Sequence, residues 1–262
     1  MGDQDTPREA CGLFGIYAPG EDVARLTYFG LFALQHRGQE SAGIAVSDGT
    51  HLRAYRELGL VTRVFTEPIL QSLKGYIAVG HTRYATTGSS NLRNVQPITC
   101  STVQGNIAVA HNGNLVNAHH LRAELEALGE NFEATNDSEV IVRLIARNYR
   151  GDIVSAIRAM MERVQGAYSL AILTPHQLIG VRDSFGVRPL CIGQLDGAWV
   201  LASEDCAFPP IGAQFVREVL PGEIVVIDGN GLHSYEGLPR QREALCMFEL
   251  IYFARPDTHL YD

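Results

Sequence analysis

Two runs of short apolar segments, one at each end of the chain, enclose a block with helical periodicity. That order constrains the fold more than any other feature. It predicts an α+β architecture built on antiparallel hairpins, not strict βαβ alternation. In the first run, Cys11 to Ala18 reads as a buried strand. Glu21 to Gln35 reads as a helix, with Val23, Leu26, Phe29, Ala33 and Leu34 near helical spacing. Ser41 to Ser47 and His51 to Tyr55 read as strands joined by the Asp48-Gly49 turn. Val61 to Leu73 reads as helical up to Glu67, where Pro68 interrupts it. Gly75 to His81 and Asn106 to Ala110 read as apolar strands, each ending in a polar loop. The middle block predicts helices over Ala118 to Leu128, Asp137 to Tyr149 and Asp152 to Val164, the second capped from Thr135-Asn136. Strands then return at Tyr168–Thr174, Gln177–Val181, Leu190–Gln194, Trp199–Ser203, Val216–Leu220, Glu223–Asp228 and Leu232–Tyr235. Asp196-Gly197 and Asn230-Gly231 are hairpin turns. Beyond a boundary near Glu236-Gly237-Leu238-Pro239, Arg240 to Phe253 reads as a last helix.

The candidate chemistry begins at Cys11. Ala10 precedes it, and the segment from Met1 to Ala10 is polar with no hydrophobic periodicity. That segment reads as a removable leader whose loss would leave Cys11 first in the chain. A terminal cysteine carries a nucleophile and a base together, because an α-amine titrates at about 7.7–8.0. The plainer alternative is a small buried cysteine near a chain end.

Polar residues where apolar strands end are aimed by the strand and exposed by the loop. Three such groups complement Cys11. Arg83, among Thr82, Thr86 and Thr87, offers a planar fork and hydroxyls for a carboxylate, or else a structural ion pair. Asn112-Gly113 offers an amide donor and an unhindered backbone N–H, suited to an oxyanion, or else an ordinary turn. Asp137 offers a carboxylate for an ammonium, or else a favourable charge at a helix start. Together they describe a pocket for an amino acid whose side-chain carbonyl is attacked by a thiol. Glutamine, with its δ-amide, fits.

Composition narrows the partners. The net charge of −8 argues against capture of nucleic acid or anionic membrane. No run approaches the ~18 apolar residues of a membrane span. The leader lacks the basic start and apolar middle of a secretory signal, so the cytoplasm is the expected compartment. Five scattered cysteines form no C-x-x-C pair, against both a disulfide framework and a self-contained zinc site. A loose myristoylation match at Gly2 lacks a second membrane signal, and an acceptor match at Asn136 matters only in a secreted chain.

Cys11-Gly12-Leu13-Phe14-Gly15, Leu34 to Gly43, Gly80 to Gly88, His111-Asn112-Gly113-Asn114-Leu115 and Thr135 to Glu139 resemble the class II glutamine amidotransferases. Asp183 to Leu190 and Phe253-Ala254-Arg255-Pro256-Asp257 resemble, more narrowly, the amidophosphoribosyltransferase family within them. The resemblance covers nearly the whole chain. It implies a four-layer αββα fold of N-terminal-nucleophile hydrolase type, with two stacked antiparallel sheets, and leader cleavage before the cysteine. It implies Cys11 as nucleophile and its freed amine as base, with Asn112 and the Gly113 N–H as the oxyanion hole. Arg83 and a threonine of its loop, Thr86, would bind the glutamine carboxylate; Asp137 and the Gly113 carbonyl would bind the ammonium. Arg37, grouped with the substrate-binding residues, lies in the loop that supports the nucleophile.

The implied organisation is a leader at 1–10, a glutaminase domain at 11–239 and the start of a truncated phosphoribosyltransferase domain at 240–262. No acidic, glycine-containing phosphoribosyl pyrophosphate loop is present in the sequence. The expectation is therefore glutamine hydrolysis, with phosphoribosyl pyrophosphate engaged only through a further domain, together with Mg and homo-oligomer formation. Cys246 matches one ligand of the 4Fe-4S cluster that some family members carry; with one of four ligands, no cofactor is expected in this chain. The rivals are another class II amidotransferase, such as glucosamine-phosphate synthase, and a non-catalytic binding or regulatory module if the leader stays attached.

Overall fold

The computed structural model describes residues 11–83, 91–241, 244, 246–247 and 249–258. Seven strands form one antiparallel sheet: β1 (Gly12–Tyr17), β2 (Ser41–Ser47), β3 (Leu52–Leu58), β4 (Ile77–Arg83), β9 (Cys191–Leu195), β10 (Ala198–Ala202) and β11 (Gln214–Glu218). Their order is β11-β9-β10-β1-β4-β2-β3, so β1 lies in the middle. Six strands form the second: β5 (Ile98–Thr102), β6 (Gly105–Leu115), β7 (Gly166–Leu173), β8 (Leu178–Arg182), β12 (Glu223–Asp228) and β13 (Gly231–Glu236), in the order β13-β12-β8-β7-β6-β5. Helices α1 (Val23–Ala33), α2 (Val61–Val64) and α3 (Glu67–Ser72) cover the first sheet. Helices α4 (Ala118–Ala127), α5 (Asp137–Asn148) and α6 (Ile153–Met161) cover the second.

Three apolar cores separate these four layers. The alternation of a strand's side chains shows how. In β1, Phe14 and Ile16 pack with α1, whereas Leu13 and Tyr17 enter the core between the sheets. In β6, Ile107 and Val109 face the helices, and Ala108 and Ala110 face the other sheet. Because both faces of these strands are covered, they read as continuous apolar runs instead of alternating ones. Gly30 lets α1 settle on β1, since a Cβ there would lie 2.3 Å from the Phe14 ring. The expected four-layer arrangement of two antiparallel sheets is therefore present.

Several sequence expectations are corrected. β4 continues through Arg83, and β6 through Leu115, so His81 to Arg83 and His111 to Asn114 are strand residues and not loops. Pairing carries these polar stretches: Asn112 opposes Ser169, and Arg83 opposes Ser41. The Asn112-Gly113 turn is thereby excluded. β5 has no counterpart in the sequence reading. The helical stretch after Val61 breaks at Phe65-Thr66, and Pro68 sits in the first turn of α3, where a missing N–H costs nothing. Among the described residues, the helix expected over Arg240 to Phe253 is not seen before Glu249. The Gln241 and Ala244 N–H groups donate instead to the carbonyls of Ser184 and Phe185, and one π-helical turn follows at Glu249–Phe253.

Candidate active site

Cys11 sits just before β1, partly exposed, and its backbone is gripped from both sides. Its nitrogen donates to Asn112 Oδ1 at 3.4 Å, and its carbonyl accepts from Arg37 Nε at 3.0 Å. Ser203 anchors the strand behind it, accepting from the Leu13 N–H at 2.9 Å through its hydroxyl. The two sheets thus meet at Cys11, one carrying the thiol and the other carrying Asn112.

Asn112 has two ends with different fates. Its Oδ1 is engaged by Cys11, which directs the amide nitrogen elsewhere. Among the described residues that buried nitrogen has no hydrogen-bond partner. A buried, unsatisfied amide costs free energy unless a ligand completes it, so it marks where an acceptor belongs. Gly113 supplies a second donor by strand parity. The Val116 N–H donates to Gln165 O, continuing the ladder whose even-numbered positions bond to β7. The amides of residues 111, 113 and 115 therefore face away from β7. The His111 N–H meets Gln96 Oε1 at 2.7 Å, and the Leu115 N–H meets Asp137 Oδ2 at 2.9 Å. The Gly113 N–H points out between them. Its φ of +151° and a would-be Cβ 2.0 Å from Ala167 O require glycine here.

Asp137 opens α5 and is 19% exposed. Burial pushes its carboxyl up, but His111 and the Leu115 N–H outweigh that and hold it below the usual carboxylate range. His111 Nδ1 lies 3.5 Å from Asp137 Oδ1 and 3.2 Å from Ser138 Oγ. Arg83 ends β4, 10% exposed, with Nε 3.9 Å from Glu40 Oε2. Glu40 makes no other contact that satisfies its oxygens among the described residues. Thr86 and Thr87 lie outside the described residues, as does the leader.

Arg37 is placed differently from the substrate-binding expectation. It is wholly buried and cannot touch a substrate; it supports Cys11 from behind. Its Nη1 lies 2.5 Å from both Glu204 Oε1 and Glu249 Oε1. Burial disfavours the Arg37 charge, but Glu249 and Glu204 more than restore it, raising its pKa. Sequence reasoning missed both acids, and also missed His81, whose Nε2 bonds the His111 carbonyl at 3.1 Å across the two sheets. A charged residue just past the apolar β10 strand, after Ser203, was the available signal for Glu204.

Among the described residues the one cluster of three ligating side chains is His36, Glu204 and Cys206. Both Glu204 oxygens are already used, Oε1 by His36 and Arg37 and Oε2 by the Arg255 N–H and the Thr258 hydroxyl. Cys246 is partly exposed and outside that cluster. One thiolate supplies one of the four ligands a four-iron cluster needs.

A glutamine amidotransferase domain model matches residues 81–210, the span that contains Arg83, Asn112, Gly113 and Asp137. The chain is 51% identical over 264 residues to the amidophosphoribosyltransferase of Synechococcus elongatus, covering 97% of this chain and 53% of that protein. The glutamine phosphoribosylpyrophosphate amidotransferase of B. subtilis, complexed with ADP and GMP, superposes with a TM-score of 0.89 at 42% identity, over 95% of this chain and 54% of that one. A structure described as the allosteric regulatory enzyme of purine biosynthesis gives 0.91 at 43% identity, with the same coverage. The chain spans about half the length of the curated relatives it matches. With the two stacked sheets and the paired donors beside Cys11, these matches place the chain among the glutamine amidotransferases, in the family of the amidophosphoribosyltransferases.

Proposed function

We propose that Cys11 hydrolyses the δ-amide of glutamine, releasing glutamate and ammonia. The observation that carries this is Asn112, which binds the Cys11 nitrogen with its oxygen and leaves its amide nitrogen buried and unpartnered beside the thiol. The thiol loses its proton to the α-amine that leader removal exposes, and sulfur bonds to the glutamine δ-carbon. The oxygen becomes an oxyanion held by Asn112 Nδ2 and the Gly113 N–H. Collapse breaks the C–N bond, and the protonated amine gives its proton to the departing ammonia. Water, deprotonated by the same amine, then cleaves the γ-glutamyl thioester and regenerates the thiol. Arg83, with Thr86 of its loop, binds the α-carboxylate. Asp137 and the Gly113 carbonyl bind the α-ammonium.

The named relatives support a wider reading, in which the complete protein passes the ammonia to phosphoribosyl pyrophosphate. Among the described residues no helix is long and apolar enough to cross a membrane, and we assign the cytoplasm as its compartment. The test is glutamate release from the purified protein, with intact mass before and after a glutamine-analogue alkylating agent. The expected results are a mass lacking residues 1–10 and one added adduct on Cys11. Turnover by a chain that verifiably retains its leader overturns the proposal.

A further inference from the structure

Behind Cys11, on the side away from the glutamine-binding groups, three wholly buried charges meet. Arg37 lies between Glu204 and Glu249, and none of the three side chains reaches solvent. Glu204 follows β10, in the sheet that carries Cys11. Glu249 comes from the C-terminal segment, whose described residues add no strand to either sheet.

That segment is fastened at three places. Gln241 and Ala244 donate backbone N–H groups to Ser184 and Phe185, in the loop after β8. Glu249 Oε2 lies 3.4 Å from Arg188 of the same loop. Further on, the Arg255 N–H and the Thr258 hydroxyl donate to Glu204 Oε2 at 3.0 and 2.7 Å. The segment therefore touches Arg37 directly through Glu249 and indirectly through Glu204.

Arg37 transmits whatever that contact imposes. A guanidinium is a rigid plane, so the direction of one nitrogen fixes the others. Nη1 is held by the two carboxylates and Nε by the Cys11 carbonyl, while Nη2 has no hydrogen-bond partner among the described residues. Those contacts set its plane. Displacing Glu249 lets the plane turn about Glu204 and draws Nε from the Cys11 carbonyl. The grip of Arg37 on the nucleophile's backbone is then lost.

We propose that Glu249 is a positioning residue for Cys11, acting through Arg37, so that the thiol is competent only when the C-terminal segment is docked. This rests on the reading of Cys11 as the nucleophile. Its consequence is that the placement of Glu249 sets the reactivity of the Cys11 thiol through the Arg37 guanidinium between them.

The experiment uses the full protein with Glu249→Gln, Glu249→Asp and Thr258→Ala. Glu223→Gln serves as a control, because it breaks a different, partly buried ion pair, between β12 of the second sheet and Arg217 of β11. The readouts are kcat and KM for glutamine, thermal stability, and the rate at which iodoacetamide labels the Cys11 peptide. Iodoacetamide needs none of the glutamine-binding groups, so it reports the thiol itself. Misplacing a reacting group by about 1 Å can cost on the order of 10²-fold. Glu249→Gln is expected to lower kcat about tenfold or more, with KM within about twofold and Cys11 labelling slowed in step. Glu249→Asp should recover part of the loss, and Thr258→Ala should show the same signature more weakly. Glu223→Gln should lower stability and leave kcat unchanged. Normal kcat and labelling in Glu249→Gln overturn the proposal. If that variant does not fold, normal kcat and labelling in Thr258→Ala overturn it. Glutamine hydrolysis by Cys11→Ala would remove the underlying reading whatever Glu249 does. An inactive Cys11→Ala with a fully active Glu249→Gln would remove only the positioning role.

Discussion

The two sides of Cys11 are built on opposite rules. On the side facing α5 and the end of β6, polar groups are left incomplete: the Asn112 amide nitrogen has no described partner, and Asp137 keeps its charge while partly exposed. On the side facing the C-terminal segment, charge is matched against charge, with Glu204 accepting from His36, Arg37, Cys206, the Arg255 N–H and the Thr258 hydroxyl. The contrast separates ligand chemistry from scaffold chemistry. A buried amide donor left open on the substrate side is a cost that a ligand removes, whereas opposite charges buried against one another hold each other in position even with Arg37 Nη2 left without a described hydrogen-bond partner. Substitutions on the two sides should therefore fail in different ways.

The largest effect tests the residue both sides serve. Cys11→Ser should lower glutamine turnover by at least about 10³-fold, because a hydroxyl is a far weaker nucleophile than a thiolate at neutral pH. Steady-state glutamate release measures it, and near-normal turnover would end the comparison. Asn112→Ala comes next and should lower kcat by ~10²–10³-fold, with KM little changed, since the oxyanion exists only after attack. A rise in KM alone would move Asn112 from the reacting oxygen to the ground-state substrate.

Asp137→Asn and Arg83→Lys should produce a smaller loss of the opposite kind. Charge-assisted hydrogen bonds contribute roughly 1.5–3 kcal/mol, so KM should rise about tenfold or more while kcat falls less. The scaffold side should answer in stability as well as in kcat, with KM for glutamine little changed. Arg37→Met strands two buried carboxylates, and breaking a buried pair typically costs about 3–5 kcal/mol. Denaturant unfolding of Arg37→Met should show that loss directly. A stable Arg37→Met protein would mean that the cluster is wetter than its burial indicates.

The ligand side was the more legible half of the molecule. Cys11, Asn112, Gly113 and Asp137 stand near one another in the fold, and each carried a chemical reason that a sequence displays: a small residue before a thiol, a donor beside glycine, an acid at a helix start. Their setting was less legible. The strand through Asn112 looked like a loop because its residues are polar, and only pairing with β7 makes them a strand. The scaffold side was almost invisible. Arg37 and Glu204 stand 167 residues apart, and a lone charge in a sequence is by default a solvated one. Glu249 sat in an apparent amphipathic helix, and nothing local announces that its neighbours pair with the loop after β8 instead. Burial converts such residues from surface decoration to structural necessity, and burial is a property of the whole fold.

The smallest effect on the comparison comes from His81, which belongs to neither side and joins the two sheets. Its ring is fully buried, and burial, with His111 and Arg83 adding to it against the bond to the His111 carbonyl, pushes the imidazole down to about 3. The neutral ring donates from Nε2 to that carbonyl, so protonation would add a charge the site cannot hold. In the unfolded chain the same imidazole takes up a proton below about 6.5. Between those values the unfolded state binds the extra proton, and stability therefore rises with pH across this window and falls as pH drops through it. Moving from pH 7 to pH 5 should cost about 2 kcal/mol through His81 alone, by the linkage between proton binding and folding. His81→Gln keeps a donor for the carbonyl and cannot titrate, so its loss over the same interval should be smaller by that amount. Urea unfolding of both proteins at the two pH values measures the difference. An equal loss in both would place the His81 ring in contact with water and the seam between the sheets open.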